Sequence, residues 1–227
     1  EASIAPLSFT GAAPPPPADL PQEASTQSLP RPFGNYALTL VLGAGGAGMV
    51  FEASDDTLGR RVAVKFIHLR SLEDGRLVRE AQDAAKLRHP NIAAIYEAGE
   101  IDDQRYIVME HVQGLSMDRW RKSGSITIRQ QVRILRDVAL AVHFAHEQGV
   151  THRDLKPQNV MVDAKGKPYV VDFGMAKQVK AQLETSAGGS SGALTVPGQV
   201  LGTAGYMAPE WLEGEPGKVG AAADIWS

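Results

Sequence analysis

The sequence predicts an α+β chain of two lobes: an antiparallel five-stranded N-terminal lobe with one helix, then a mostly helical C-terminal lobe. Three observations predict it. Five apolar runs read as strands before Gly114, interrupted by a single helical run. Beyond Gly114 the apolar residues recur mainly at helical spacing. The chain has 227 residues, enough for two lobes with a core each.

The elements follow in order. Residues 1–32 hold eight of the fourteen prolines, "PPPP" from Pro14 to Pro17 among them. That composition favours extended polyproline II and buries too little surface to offset its ordering entropy, so it reads as a disordered tether. Order is expected from Phe33. "YALTLVLG" alternates Ala37, Thr39 and Val41 against Leu38, Leu40 and Leu42, and "MVFEAS" resumes as a strand after a glycine cluster. Gly43 to Gly48 is therefore the turn of a hairpin. "RRVAVKFIHL" is a third strand. "SLEDGRLVREAQDAAKLRHPNI" turns helical: Ser71 and Asp74 fit a capping box, Leu77, Ala81, Ala84 and Leu87 form the apolar face, and Pro90 stops it. "IAAIYEAGEI" and "RYIVMEHV" are two further strands, which completes a lobe over 33–113.

The second lobe is expected over 114–227. "ITIRQQVRILRDVALAVHFAHEQG" places Val132, Leu135, Val138, Ala139, Val142 and Ala145 on one helical stripe that stops at Gly149. Two short strands follow, Val160 to Val162 and Tyr169 to Val171. From Gln178 to Gln199 the Gly/Ser/Thr/Ala-rich chain has no apolar period and reads as a mobile loop.

Composition excludes several functions. A net charge of −3 and a pI near 6.1 give no global basic field for nucleic acid or an anionic membrane. The absence of cysteine removes disulfides, Cys-ligated zinc and thiol catalysis together. No apolar run reaches about 18 residues, so no segment of this window reads as a membrane span. The N-terminus has neither a basic start nor an apolar h-region, and no initiator Met, as expected of a processed product or an interior piece.

The residues that carry chemistry fall in four places. Gly43-Ala44-Gly45-Gly46-Ala47-Gly48-Met49-Val50 reads G-x-G-x-x-G-x-V. Alone it is equally a flexible turn, but a strand on either side suits a flap whose backbone N–H groups approach phosphate. Lys65 ends an apolar alternation in "VAVK", and a buried ammonium there needs an anion. Glu80, one turn past Arg76 on the next helix, could supply it, though such a pair serves structure as readily as chemistry. "GVTHRDLKPQNVMV" is the most specific stretch: Asp154, Lys156 and Asn159 crowd a loop pressed against a short apolar strand. Asp172-Phe173-Gly174 adds a carboxylate. With phosphate oxygens, Asn159 and Asp172 make a poor zinc site and a good magnesium one. His143 and His146, at i and i+3, have no third ligand nearby and read as ordinary core or surface histidines.

Taken together, G-x-G-x-x-G-x-V, V-A-V-K, a helix Glu, H-R-D-L-K-x-x-N, D-F-G and A-P-E resemble the eukaryotic-type (Hanks-type) protein kinase family from about Phe33 onward. "REAQDAAKLRHPNI" and "GTAGYMAPE" are similar to its bacterial Ser/Thr branch. The resemblance implies a bilobal protein-kinase-like fold and an ATP-dependent Ser/Thr protein kinase. Such an enzyme would act on protein substrates, its own activation loop among them, in trans through self-association. It implies Mg2+, with Mn2+ as a substitute. Lys65 would hold the α- and β-phosphates, oriented by Glu80; Asp172 and Asn159 would bind the metal; Asp154 would take or orient the acceptor's proton; and Lys156 would neutralise the transferring phosphate. Gly43, Ala44, Gly45 and Gly48 would cover the phosphates. The base would lie between Val50 and Ala63 above and Met161 below, reaching the backbone of Glu110 and Val112, with Met109 as gatekeeper. Arg153, joined by Lys177 and Arg76, would receive a phosphate on the activation loop, with Thr195 the leading acceptor ahead of Thr185, Ser186, Ser190 and Ser191. Thr203 would bond Asp154 and Lys156.

The resemblance also sets two contrasts. The family's C-terminal lobe runs well past "AADIWS", so this piece alone is expected to be a poor catalyst, its apolar face near Trp226 uncovered. Sensor or membrane-anchoring regions would lie outside the window, the kinase domain itself being cytoplasmic. The competing reading is a non-catalytic nucleotide-binding module on a kinase scaffold. Lost Lys, Asp or Gly residues usually betray such modules, whereas Lys65, Asp154, Asn159 and Asp172 are all present.

Overall fold

A computed structural model describes residues 29–45, 48–67, 76–102, 104–124, 126–173, 205–212 and 220–227. Two compact units emerge. One takes the described residues of Glu1–Arg70 with Ala93–Gln113; the other takes those of Ser71–Ile92 with Gly114–Ser227.

The first unit is an antiparallel sheet built from β1 (Arg31–Phe33), β2 (Tyr36–Gly45), β3 (Gly48–Asp55), β4 (Arg60–Ile67), β5 (Ile95–Ile101) and β6 (Gln104–Glu110). The order is β1-β2-β3-β4-β6-β5, six strands where the sequence suggested five. The extra strand pairs Arg31 with Leu38 and Phe33 with Tyr36 around Gly34, whose φ of +54° closes the turn. Pro32 disguised it, but a proline is tolerated on an edge strand, where one N–H has no ladder to serve.

Alternation along β3 and β4 makes the core. Leu38, Phe51, Ala53, Val62, Val64, Phe66 and Val108 pack into one cluster, and Phe33 sets its ring edge-on to Phe66 at 4.7 Å. The opposite side of β4 is buried as well, and it carries Ala63 and Lys65. Gly45 pairs with Gly48 at the glycine-rich hairpin. Gly48 has φ +130°, and a Cβ there would come within 1.8 Å of the Phe66 carbonyl oxygen, so only glycine fits.

The sheet is curled. From β2 to β5 the ladder takes four steps, through β3, β4 and β6, about 19 Å in a flat sheet at about 4.8 Å per step. Yet the Tyr36 hydroxyl on β2 donates to Glu97 Oε2 on β5 at 2.6 Å, and Tyr106 donates to Oε1 at 2.5 Å.

In the second unit α1 (Arg76–Ala85) is followed by β7 (Gly114–Ser116), α2 (Met117–Lys122), α3 (Ile128–Glu147), a 3-10 turn at Pro157–Asn159, β8 (Val160–Asp163), β9 (Pro168–Val170), α4 (Pro209–Leu212) and α5 (Ala221–Trp226). The segment after α1 is stitched to β9: Asn91 Nδ2 donates to the Pro168 carbonyl at 2.7 Å, and Val170 N–H to the Asn91 carbonyl at 2.8 Å. That explains why α1 belongs to this unit, where the sequence grouped it with the sheet. Ala81, Ala84 and Leu87 are buried as the periodicity predicted. β7 is a third strand beside β8 and β9, too short for any period to reveal.

Thr127 caps α3 in a capping box with Gln130. Its buried stripe is Ile134, Val138, Ala141, Val142 and Ala145, whereas Val132 and Leu135 are exposed. The expected stripe thus mixed two faces, because this helix is apolar on both. No helix among the described residues is long and apolar enough to cross a membrane.

Burial, then the bond to Glu97, raises both tyrosines, Tyr106 to about 12. The fold therefore keeps these protons at a pH where the unfolded chain loses them, and stability falls as pH climbs above about 10. Tyr36→Phe should cost about 1 kcal/mol at neutral pH and flatten that alkaline decline; equilibrium denaturation at pH 7 and 10.5 checks both.

Candidate active site

The polar loop after α3 is held by one carboxylate from α5. Asp224 Oδ1 accepts the Arg153 N–H at 2.7 Å, and Oδ2 accepts the His152 N–H at 2.8 Å and His146 Nε2–H at 2.8 Å. Its side chain is fully buried. Arg153 sits in the left-handed region at φ +67°, a conformation disfavoured for a side chain as long as arginine and held here by that bond. His146, 78 residues away in sequence, gains a role that no local spacing announced. His143 is surface-exposed, 3.7 Å from Glu147.

His152 is the hinge pin of the loop. Its Nδ1 accepts the Asp154 N–H at 3.2 Å, and its Nε2–H donates to the Val171 carbonyl at 2.9 Å, which fixes a neutral tautomer. Its ring lies 4.8 Å from that of Phe173. Burial pushes this imidazole down, against the upward pull of the Val171 carbonyl and of Asp224, Asp154 and Asp172. Desolvation wins because the ring is wholly enclosed.

Asp154, Lys156 and Asn159 come together beyond this pin. Lys156 Nζ lies 2.7 Å from Asp154 Oδ2, and Asn159 Nδ2 donates to the Asp154 carbonyl at 2.7 Å and to Oδ2 at 3.0 Å. Asn159 is buried, its N–H bonded to the Lys156 carbonyl in the 3-10 turn and its carbonyl accepting Val171 N–H at 3.0 Å. Because the amide nitrogen is committed to Asp154, the amide oxygen is the end left to meet a cation. Asp172, at φ +65°, follows directly on Val171. Among the described residues no three His, Asp or Glu side chains form a metal cluster, so a hard cation here would take its other ligands from phosphate and water. Residues Asn159 and Asp172 fit such an ion.

Arg153 Nη1 lies 3.4 Å from Glu80 Oε1 of α1, and its Nε is buried without a hydrogen-bond partner among the described residues. Met161 on β8 is half-buried, opposite Ser116 and Tyr169.

The expected residues of the glycine-rich hairpin, of β4 and of the connector belong to the first unit. Gly43 pairs with Val50, and Ala44 with Met49, along the hairpin. Space beside the Gly43 Cα is open, with nothing within 4 Å of a Cβ built there. Val50 also pairs with Lys65, which is 6 % exposed, and Ala63 pairs with Met109. Glu110 ends β6, its N–H bonded to the Ala94 carbonyl at 2.8 Å, and Val112 lies in the connector after it. Lys177, Thr185, Ser186, Ser190, Ser191, Thr195 and Thr203, with the expected loop of Gln178 to Gln199, lie outside the described residues, as do residues 1–28, Ser71 and Asp74. Arg76 opens α1; its side chain is not among those described.

An antiparallel sheet with a glycine-rich hairpin, followed by a helical unit whose loop gathers Asp, Lys and Asn, defines the protein kinase class of fold. The chain belongs to that family: the protein kinase domain matches residues 36–227. It is 38% identical over 200 residues to serine/threonine-protein kinase PknD of Mycobacterium tuberculosis, covering 86% of this chain and 28% of that protein. To serine/threonine-protein kinase PrkC of Bacillus subtilis it is 36% identical over 186 residues, covering 80% and 27%. The chain thus spans under a third of the curated relatives it matches. Among solved structures, the PknI kinase domain of Mycobacterium tuberculosis matches with a TM-score of 0.66 at 25% identity, over 87% of this chain and 72% of that one.

Asp224→Ala should orphan two buried amides and His146, lowering stability by about 2–5 kcal/mol, as read by chemical denaturation. His152 should remain neutral, with its proton on Nε2, well below about pH 6.5, where an unfolded imidazole already charges. Stability contributed by the neutral ring is then fully present above about pH 6.5 and is lost progressively as pH falls from there through the lower value of the folded ring. Histidine-selective NMR across pH 7.5 to 5 follows the ring directly, and an ordinary titration would contradict the buried neutral assignment.

Proposed function

We propose that the chain is the core of an ATP-dependent protein kinase that transfers the γ-phosphate to serine or threonine hydroxyls of proteins. The observation that carries this is the Asp154–Lys156–Asn159 cluster, a carboxylate, a cation and an amide held on one short loop. Asp154 is the group that accepts or orients the acceptor hydroxyl's proton. Its ion pair with Lys156 keeps a cation beside it to balance charge on the phosphoryl group in flight.

In this reading the sheet unit and the helical unit are the two kinase lobes. Gly43, Ala44, Gly45 and Gly48 cover the phosphates, and Lys65, oriented by Glu80, holds them. Val50, Ala63 and Met161 enclose the base, which meets the backbone of Glu110 and Val112. Asn159 and Asp172 would hold Mg2+, or Mn2+ in its place, which would supply positive charge against the phosphates. Arg153 keeps a buried, unmatched Nε, which suits it to receive a phosphate on the activation loop, with Lys177 and Arg76 as companions. Thr195 is the proposed acceptor, phosphorylated in trans by a second copy. The domain works on the cytoplasmic side, and any sensor or anchor is separate from it.

Intact-mass analysis with Mg-ATP tests this on a version extended through a complete C-terminal lobe. Phosphoryl mass should appear on the native protein and vanish, with at least a ~100-fold loss of rate, in Asp154→Asn. Peptide mapping should place phosphate on Thr195. Silence in both proteins while ATP still protects the fold against heat would leave a non-catalytic nucleotide-binding module instead.

A further inference from the structure

Past the end of β6, three charged or titratable side chains converge on the connector at residues 110–113. Glu52 of β3 places Oε2 3.6 Å from His111 Nε2, and Oε1 3.5 Å from Arg61 Nη1 of β4. The backbone beneath them is fixed: Glu52 pairs with Ala63, Val62 pairs with Glu110, and Thr39 Oγ1 donates to the Glu52 carbonyl at 3.1 Å. The neighbouring Glu110 carboxylate accepts the Ala94 N–H at 3.2 Å. The His111 side chain is 11 % exposed, and its Nδ1 is buried with no hydrogen-bond partner among the described residues.

That last atom decides the protonation state the seat accepts. With one proton, on Nε2, the ring points a donor at Glu52 and leaves at Nδ1 only an unused lone pair. A second proton would bury an N–H with no acceptor, a costlier defect than an unused lone pair. We propose that His111 is a positioning residue for the nucleotide: as a neutral Nε2–H imidazole it seats the connector against β3 and β4, and its protonation unseats it, weakening nucleotide binding. The inference rests on the kinase reading, in which the base meets the backbone of Glu110 and Val112. Burial lowers this imidazole, Glu52 opposes that, and Arg61 reinforces it, so charging the ring works against the seated arrangement.

Adenosine is the probe, because it has no phosphate to titrate alongside the protein. Calorimetry on the full chain should show adenosine binding about three- to tenfold weaker at pH 5.5 than at pH 7.5. His111→Gln keeps a donor for Glu52 without a titrating ring, so its affinity should stay flat over that range. NMR of the His111 ring should show its midpoint falling in Glu52→Gln and rising in Arg61→Gln. Binding that is independent of pH in the native chain, or an equal slope in His111→Gln, overturns the inference and leaves the kinase reading intact. No adenosine binding at any pH overturns both.

Discussion

One buried carboxylate organises the second unit. Asp224 accepts hydrogen bonds from two consecutive backbone amides and one imidazole, and every donor belongs to a different turn of chain from its own. The loop from Val150 to Lys156 is neither helix nor strand and has no ladder of its own to satisfy its N–H groups. The acceptor brought by α5 does that work, and in doing so it holds Arg153 in a left-handed conformation. Asp154, Lys156 and Asn159 take their positions downstream of that fixed point.

The dense polar stretch can sit against a core because nearly all of its buried groups are answered, Arg153 Nε being the exception among the described residues. His152 spends both ring nitrogens, one on Asp154 N–H and one on the Val171 carbonyl. Asn159 uses its side-chain nitrogen on Asp154 and its main chain on Lys156 and Val171. Fully satisfied, such a network is rigid; with one member missing, the low dielectric that strengthens it would penalise the orphan.

Much of this was legible because it is local. Alternation through Phe51, Ala53, Val62 and Val64 exposes the sheet, and the Asp154 to Asn159 cluster is written within six consecutive residues. What depended on distant partners was not. His146 meets Asp224 across 78 positions, and nothing in its neighbours distinguishes it from exposed His143. α3 misled because both its faces are apolar, so period alone could not say whether Leu135 or Val138 lay inside. Pro32 hid a strand that geometry permits at an edge. The curl of the sheet needs a contact between β2 and β5, which pairing neighbouring strands does not reveal.

That curl has a consequence for what can attach to the protein. Phe33 of β1 reaches the ring of Tyr106 on β6 at 5.0 Å, while Tyr36 reaches Glu97 on β5, so the two rims of the sheet approach each other. An open sheet offers its rims as templates for a stray extended segment, whether a binding peptide or an aggregating copy. The roll is held by side chains and not by a closing ladder: β1 covers the outer edge of β2 only from Tyr36 to Leu38, so beyond Leu38 β2 keeps an edge that no described strand pairs with. An extended segment that joined this unit would find its backbone partners there, past the end of β1.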